Sequence, residues 1–570
     1  MTELIRDRVA ALIVAGLRAA QEEGALPYFE VSDIVVEHPR QSEHGDYASP
    51  ICLQLARDFA ELSRGEARMP PREIAARVVE HLPPAPFVGQ VEVAGPGYIN
   101  VTLDASWLAA QVEAILGAGE TFGNLEIGRG QKVQVEFVSA NPTGPTHIGG
   151  VRNAVIGDTL ANVLAAAGFE VEREYYVNDA GSQVRTFGES IYARYAQALG
   201  QDEPFPENGY HGHYVVEIGQ QMARRYGDRY LNMPRREAVC VLGDEGIARV
   251  VSEAQRDLAA LGVEFDIWFH EKSLYESGLF DRVLQMLQDK GYITERDDAV
   301  WFTSPDLDAD AVIIRSPQVI PEPDERPTYF ASDIAYVWNK LVKRGFDRAI
   351  YVWGADHHGD VPRVKAAASA LGLDPERVVI ILYQMVNLKR GSEDVRMSKR
   401  AGEFITLREL LDEVGPDPIR FMLLTCTVDA TIDFDLDLAV EQSEKNPVYY
   451  VQYAHARIAS MLRYAVDLGW DLEAPGDVSL LTHESELALI RKMLELPEVI
   501  ALAATQLAPH HLTLYAKDLA AVFHAFYRDC RVVVPEEPEQ TRARLMLTRA
   551  ARLALARALG LLGVNAPERM

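Results

Sequence analysis

The feature that most constrains the fold of this 570-residue chain is a strand–helix–strand pattern that occurs twice. In the first copy, QKVQVEFV (131–138) alternates apolar with polar residues, as a half-buried strand does. VRNAVIGDTLANVLAAAG (151–168) then has helical spacing and ends on a glycine, and EVEREYYV (170–177) is a second strand. The same order returns within 348–383, in RAIYVW, VPRVKAAASALG and ERVVIILY. Two such units predict a parallel sheet whose ligand crevice lies at the carboxyl ends of its strands.

The regions outside these units have a different character. Residues 1–115 open on an amphipathic helical pattern and finish with VEVAGPGYINVTL, which predicts a strand after a Gly-Pro-Gly turn. Residues from about 185 to 320 must hold insertions, and 446–570 is predicted to be helical throughout. Because a single hydrophobic core rarely serves more than about 300 residues, we expect a multidomain α/β protein.

Composition argues against several classes of protein. No unbroken apolar stretch reaches the roughly 20 residues of a membrane span, and charged residues interrupt the opening helix, so we expect neither a span nor a signal peptide. The four cysteines lie far apart with no C-x-x-C pair, which argues against a zinc ribbon and a disulfide framework. These observations favour the cytoplasm.

The net charge of -28 requires any contact with nucleic acid to be local. One basic segment, TRARLMLTRAARLALARALG (541–560), carries arginines and no acidic residue on a helical pattern. It is either an RNA contact or a core-packing helix with a solvated basic edge. The sequence does not decide between the two.

The first chemical motif, SANPTGPTHIGG (139–150), lies between the first strand and its helix. It places His147, Gly149 and Gly150 at the helix start, where backbone N–H groups and the helix dipole favour phosphate. Gly149 also lets a flat base lie against bare backbone. On its own, such a motif would usually be a glycine-rich turn and nothing more.

The second motif, VRMSKRAGEFITL, follows the last sheet strand. Its Lys399, after Met397 and Ser398, could reach the phosphates of a nucleotide and stabilise charge as pyrophosphate leaves. A lone lysine of this kind would ordinarily be a solvated surface residue. The pairing of the two motifs is what gives them weight.

A His-x-Gly element on the first strand-to-helix turn, followed by Met-Ser-Lys after the final strand, resembles the signature pair of class I aminoacyl-tRNA synthetases. The segments YYVNDAGSQ, TYFASDIAY, YVWGADHHG, NPVYYVQYAHARI and LLGVNAPERM extend the similarity to arginyl-tRNA synthetases over nearly the whole chain. The resemblance implies ATP-dependent ligation of L-arginine to tRNA through an arginyl-adenylate. It also implies catalysis and ATP binding by the residues of both motifs: His147, Gly149, Gly150, Met397, Ser398 and Lys399.

The resemblance implies four segments, of which the catalytic one contains a Rossmann-type parallel sheet. They are a tRNA-elbow module (1–115), the catalytic domain (116–390), the Met-Ser-Lys loop with connecting helices (391–445), and a helical anticodon-binding domain (446–570). We expect ATP to enter as its Mg²⁺ complex, with no tightly bound metal or organic cofactor. A tandem His357-His358 has no Cys or third His at ligand spacing, so no metal site is expected. The partners are tRNA(Arg), arginine and ATP, and we expect a monomer.

A pocket for arginine should offer carboxylates and a planar or hydroxyl partner to the guanidinium. Tyr329 and Asp333 stand four residues apart and share a face if their segment is helical. The resemblance assigns Asp333 to the guanidinium with Tyr329 beside it, and Glu295 is a weaker candidate for a second carboxylate. It assigns the ends of the amino acid to another set: Ser139, Ala140, Asn141 and His357.

The segment NPVYYVQYAHARI offers aromatic residues and arginine for unstacked bases, and the resemblance implies that Tyr449, Tyr453 and Arg457 bind tRNA. Helical spacing also suits core packing, so we expect about half of its tyrosines to be structural.

One position departs from the family pattern, since Gly150 stands where a second histidine is usual. We hypothesise that backbone N–H groups or His357 supply the stabilisation that the missing histidine would give.

Two alternative functions remain at this point: another ATP α-phosphate enzyme on the same fold, such as a synthetase for cysteine, and a non-catalytic relative that only binds RNA.

Overall fold

The computed structural model describes residues 3–30, 34–62, 69–320, 326–391, 393–395 and 405–570. Its N-terminal part packs helices against an antiparallel sheet of order β1-β3-β2. The single strand predicted after the Gly-Pro-Gly turn is one arm of a hairpin, because Gly95 and Gly97 adopt positive φ and reverse the chain. The elements are α1 (Ile5–Glu22), β1 (Tyr47–Ser49), α2 (Ile51–Leu62), α3 (Pro71–Glu80), β2 (Val88–Ala94), β3 (Tyr98–Leu103) and α4 (Ala105–Ala118).

The central sheet has five parallel strands in the order β11-β10-β4-β5-β6. Both predicted strand–helix–strand units are confirmed. The first helix begins at Ile148, because His147 caps it. The strands of the sheet and the two helices of these units are β4 (Lys132–Glu136), α5 (Ile148–Ala166), β5 (Glu170–Val177), β6 (Ile267–His270), β10 (Arg348–Gly354), α12 (Val361–Leu371) and β11 (Val378–Tyr383).

Two insertions separate these units. A helical insertion between β5 and β6 has its own apolar core and comprises α6 (Ser182–Ala198), α7 (His213–Tyr226) and α8 (Arg235–Ala260). After β6 come a small antiparallel sheet and the helices around it. These are α9 (Lys272–Glu276), α10 (Leu279–Asp289), β7 (Ile293–Arg296), β8 (Ala299–Phe302), β9 (Ala311–Ile314), α11 (Tyr329–Trp338) and the π-helical turn Asn339–Lys343.

A connecting region follows β11 and joins a C-terminal bundle of helices. The connecting elements are β12 (Val386–Arg390), β13 (Glu393–Asp394), α13 (Leu407–Val414), α14 (Pro416–Met422), β14 (Ile432–Asp435) and α15 (Leu436–Val440). The bundle comprises α16 (Pro447–Asp467), α17 (Glu484–Leu494), α18 (Leu496–Gln506), α19 (His510–Asp529) and α20 (Pro538–Leu561), as the helical pattern predicts.

The arginines of α20 are engaged within the protein. Arg544 pairs with the buried Glu486 at 2.7 Å, Arg542 pairs with Glu539, and Arg557 donates to Asn124 Oδ1 at 2.6 Å. These contacts favour the interpretation of this segment as a packing helix. Among the described helices, none is long and apolar enough to cross a membrane.

Candidate active site

The turn that follows β4 carries backbone strain. Val138 and Ser139 adopt φ values of 65° and 41°, a region costly for a β-branched residue such as valine. The strain is held in place by Asn153 of α5, whose Oδ1 accepts from the Val138 N–H at 2.7 Å and whose Nδ2 donates to the Val352 carbonyl at 2.8 Å. Ser139 Oγ also accepts from the Tyr176 N–H at 3.1 Å. The turn is therefore rigidly fixed between β5, β10 and the start of α5.

His147 caps α5, and its Nδ1 accepts from the Gly149 N–H at 3.2 Å. The end of the second motif returns to this point, since the Leu407 N–H donates to the Thr146 carbonyl at 2.8 Å and Thr406 pairs with His147. Met397, Ser398 and Lys399 themselves lie outside the described residues. The two sequence motifs are thus joined at the start of α5.

Gly149 and Gly150 of the first motif leave little room for a side chain. A Cβ on Gly149 would lie 3.1 Å from His147 Cε1. A Cβ on Gly150 would lie 3.1 Å from Thr146 Cγ2, so any residue there requires the Thr146 methyl to move. The helix start consequently stays open to a ligand on its backbone side.

A group of carboxylates meets at the carboxyl ends of β4 and β6. Asp333 lies one turn into α11, and burial raises its pKa well above the usual value, with the charges of Glu136 and Glu271 adding to the effect. Glu271 is only 3% exposed, and burial raises its pKa to about 7. Neither Glu271 nor Asp333 has an ion-pair partner within the part of the chain that the structure describes. Such a group favours a bound cation.

The charge of Glu136 is balanced by an ion pair with a buried lysine. Lys340, whose side chain is fully buried, pairs with Glu136 and lies 4.0 Å and 3.6 Å from the ring centroids of Tyr336 and Tyr351. Burial lowers the pKa of Lys340, and the charge of Glu136 opposes that change. This pair supports the site from beneath, so Glu271 and Asp333 remain for a ligand.

A cleft opens beside Glu271. It is lined by Glu271, Tyr275, Arg315 and Tyr329, together with the start of α6. Tyr329 is 46% exposed at the cleft, and burial of its remaining surface raises its pKa, as does the charge of Glu271. As the four-residue spacing predicts, Tyr329 and Asp333 lie on one helix and one side of the site.

Asn141 links the strained turn to the segment after β5. Its Nδ2 donates to Gln183 Oε1 and its Oδ1 accepts from Asn178 Nδ2, both at 2.8 Å. The Ala140 carbonyl accepts from the Tyr175 hydroxyl at 3.3 Å. Ser139, Ala140 and Asn141 thus lie together at the sheet edge, beside the cleft.

The structure does not bring every predicted residue to the carboxyl ends of the strands. Glu295 lies on β7 of the small antiparallel sheet, where it is exposed, and Glu271 is the carboxylate beside Asp333. His357 follows β10 with a side chain 57% exposed, 3.5 Å from Asp360. Sequence reasoning missed Glu271 and Lys340. The one available signal for Glu271 was its place directly after a short strand. No metal-binding group of His, Cys, Asp and Glu occurs among the described residues.

A second candidate surface lies on α16. The rings of Tyr449 and Tyr453 are 6.1 Å apart and nearly parallel, and the Arg457 guanidinium lies 4.7 Å from the ring centroids of Tyr453 and Tyr527. These side chains are partly exposed. By contrast, His455 of the same segment is buried and bonded to the Pro567 carbonyl at 2.9 Å. The outward strip has the geometry of a stacking platform for bases.

Family models match three consecutive segments of the chain. Residues 3–103 match the arginyl tRNA synthetase N terminal domain, and 111–417 match the class I (R) tRNA synthetase catalytic domain. Residues 451–570 match the DALR anticodon binding domain. The chain belongs to the arginyl-tRNA synthetase family.

Relatives of this arginyl-tRNA synthetase family extend the match to full length. The arginine–tRNA ligase of Dehalococcoides mccartyi is 48% identical over 568 residues, which cover 99% of each chain. A solved arginyl-tRNA synthetase structure from Campylobacter jejuni is 32% identical, with a TM-score of 0.73 over 82% of this chain and 100% of that one. The Thermus thermophilus arginyl-tRNA synthetase shares the fold, with a TM-score of 0.74 over both full chains at 23% identity.

Proposed function

We propose that this chain joins L-arginine to its cognate tRNA through an arginyl-adenylate, using ATP and releasing AMP and pyrophosphate. The carrying observation is the pair of carboxylates Glu271 and Asp333 beside the carboxyl ends of the sheet strands, where Glu271 lines a cleft, in a chain 48% identical to an arginine–tRNA ligase. A permanent cation with a fork of donors suits two carboxylates that have lost most of their contact with water.

In this proposal the arginine guanidinium binds between Asp333 and Glu271, with Tyr329 beside it. Glu271 takes the place that the sequence interpretation assigned to Glu295. The α-amino and carboxylate ends lie against the strained turn, where Ser139, Ala140 and Asn141 supply polar groups, and His357 completes that end of the site.

ATP occupies the start of α5 as its Mg²⁺ complex, against His147, Gly149 and Gly150. Met397, Ser398 and Lys399 reach its phosphates, a placement supported by the pairing of Thr406 with His147. The arginine carboxylate attacks the α-phosphorus, and the protein contributes positioning and charge stabilisation. The terminal ribose of tRNA then accepts the arginyl group.

The test is ATP–pyrophosphate exchange with each amino acid in turn, with and without tRNA. Of the amino acids, only arginine is expected to support exchange. Exchange with another amino acid instead would overturn the substrate assignment, and no exchange under any condition would favour a protein that only binds RNA.

The pH dependence of arginine binding follows from the raised carboxyl pKa values. The guanidinium keeps its charge, so binding requires the carboxylates to lose their protons, and Glu271 with a pKa of about 7 does so only above neutrality. We expect the KM for arginine to fall as pH rises from about 6 to 8, by up to roughly tenfold per unit below the pKa. Exchange measured at several pH values checks this, with the KM for ATP as the reference. A KM for arginine that is flat across this range would contradict it.

Replacement of Gly150 by histidine is expected to leave arginine-dependent exchange unchanged or lower. The new Cβ would lie 3.1 Å from Thr146 Cγ2, and moving Thr146 disturbs the bond that its carbonyl accepts from Leu407. Gly150→Ala is the matched control, because it adds the Cβ without the imidazole. A large gain in Gly150→His would show that the site lacks compensation for the missing ring.

We further propose that 446–570 binds the anticodon arm and 1–115 the elbow of tRNA(Arg), with 116–390 and 391–445 as catalytic and connecting segments. The stacked face of α16, formed by Tyr449, Tyr453 and Arg457, supports the first assignment. A monomer in the cytoplasm completes the proposal.

Tyr453→Ala is expected to raise the KM for tRNA by roughly 5- to 100-fold, because one stacked base is lost. The KM for arginine should not change. Tyr464→Ala is the control for losing an exposed ring, since Tyr464 is exposed on the same helix about three turns beyond Tyr453 and outside the stack of Tyr449, Tyr453 and Arg457. A KM for tRNA that Tyr453→Ala leaves unchanged in aminoacylation assays would remove the stack from the tRNA-binding surface.

A further inference from the structure

A single buried arginine joins four parts of the molecule. Arg420 of α14 has a fully buried side chain, and its Nη2 donates to Asp158 Oδ2 of α5 at 2.5 Å. Its Nε donates to the Leu562 carbonyl at 2.8 Å, directly after α20, and its Nη1 donates to the Gly262 carbonyl at 3.1 Å, after α8. Each of the three guanidinium nitrogens therefore binds a different element.

The end of the chain is shaped to receive this guanidinium. Gly563 adopts a φ of 65°, and a Cβ there would lie 2.2 Å from Arg420 Nη2. Asn162, one turn beyond Asp158 on α5, donates to the Leu561 carbonyl at 3.1 Å. The outer face of α5 is thus fixed to the end of α20 at two successive turns.

From this junction the chain end leads to α16. The Asn565 N–H donates to Asp417 Oδ1 at 3.0 Å, and Gln452 Nε2 donates to Asp417 Oδ2 at 2.7 Å. Gln452 is the residue before Tyr453, and the next turn of α16 binds the Pro567 carbonyl through His455. A continuous set of hydrogen bonds therefore runs from the buried side of α16, through the C-terminal segment and α14, to α5.

The far end of α5 is the start of the proposed ATP site. Asp158 lies ten residues along α5 from Ile148, about 15 Å at 1.5 Å per residue. We propose that Arg420 is a positioning residue, which holds the start of α5 at a defined place relative to the tRNA-binding face of α16, so that a tRNA bound there presents its terminal ribose to the adenylate. This inference rests on the proposed function.

A positioning role predicts an effect that depends on how the RNA is held. A full-length tRNA contacts both α16 and the catalytic centre, whereas an acceptor-stem minihelix contacts only the centre. In Arg420→Lys, which keeps the charge but loses the fork of donors, kcat/KM for full-length tRNA should fall about tenfold, because misplacement by about 1 Å is costly to catalysis. For the minihelix it should change less than about twofold, so the ratio of the two values falls.

The experiment measures aminoacylation of both RNAs by the wild type, Arg420→Lys and Arg544→Lys. The last is the matched control, because Arg544 pairs with the buried Glu486 inside the C-terminal bundle and, in the part of the chain that the structure describes, has no ion pair or hydrogen bond with α5. Its ratio should equal that of the wild type. If Arg420→Lys fails to fold, Asp158→Asn tests the same bond more gently, and thermal melting reports which variants are folded.

The ratio of kcat/KM for full-length tRNA to kcat/KM for the minihelix does not depend on the fraction of active protein, so it separates the outcomes. Equal falls in kcat/KM for both RNAs, or a ratio unchanged from wild type in both Arg420→Lys and Asp158→Asn, would overturn the positioning role. Arginine charging by the wild type would remain intact in either case. A wild type that charges neither RNA would instead refute the proposed function itself.

Discussion

Replacing Asp333 with asparagine is expected to lower kcat/KM for arginine by roughly 30- to 5,000-fold, since truncating one partner of a buried charge pair costs about 2–5 kcal/mol. Asparagine keeps the shape and a hydrogen-bonding oxygen, so the loss reports the charge that the guanidinium needs. Arginine-dependent pyrophosphate exchange measures it, with tRNA present.

The same substitution should not destabilise the empty protein. The pKa of Asp333 is raised by burial and by Glu136 and Glu271, so its ionised form costs folding free energy at neutral pH, and a neutral side chain removes that cost. Thermal melting should therefore be unchanged or raised. Glu295→Gln, the same chemical change at an exposed carboxylate, is the control. If Asp333→Asn and Glu295→Gln had the same kcat/KM for arginine, Asp333 would not bind the substrate.

Replacing Lys340 with methionine is expected to destabilise the catalytic domain by about 3–5 kcal/mol, because the buried Glu136 carboxylate loses the one ion-pair partner it has among the described residues. Lys340 and Glu136 are both buried and in direct contact, and Lys340 also lies over the rings of Tyr336 and Tyr351. The urea midpoint of the transition, followed by tryptophan fluorescence, measures the loss.

The double variant Glu136→Gln, Lys340→Met identifies the cause. It should recover more than half of the loss, since no charge is left buried without a partner. Failure to recover would mean that packing by the lysine stem, and not the charge of Glu136, accounts for the destabilisation. A single variant within about 1 kcal/mol of wild type would dismiss the ion pair as a support of the site.

Local patterns in the sequence predicted the elements that carry the site. The alternation in 131–138 and the helical spacing in 151–168 correspond to β4 and α5, because strand and helix periodicities depend on neighbouring residues alone. The spacing of Tyr329 and Asp333 puts both on one face if their segment is helical, and α11 meets that condition. The sequence indicated the Gly-Pro-Gly turn and the strand after it, but not β2 before the turn, which pairs with that strand to form the hairpin.

The residues that meet at the site were decided by the strand order. Glu271 and Asp333 come from different elements, and they are neighbours only because β6 lies at one edge of the β11-β10-β4-β5-β6 sheet with α11 packed nearby. Glu295 is closer to Asp333 in sequence, yet it lies on a separate sheet. The sequence by itself determined the two strand–helix–strand units, the helical C-terminal part and the family. Only the tertiary structure decided which carboxylates share a pocket and which arginine joins α5 to the C-terminal segment, because burial and pairing depend on contacts between distant parts of the chain.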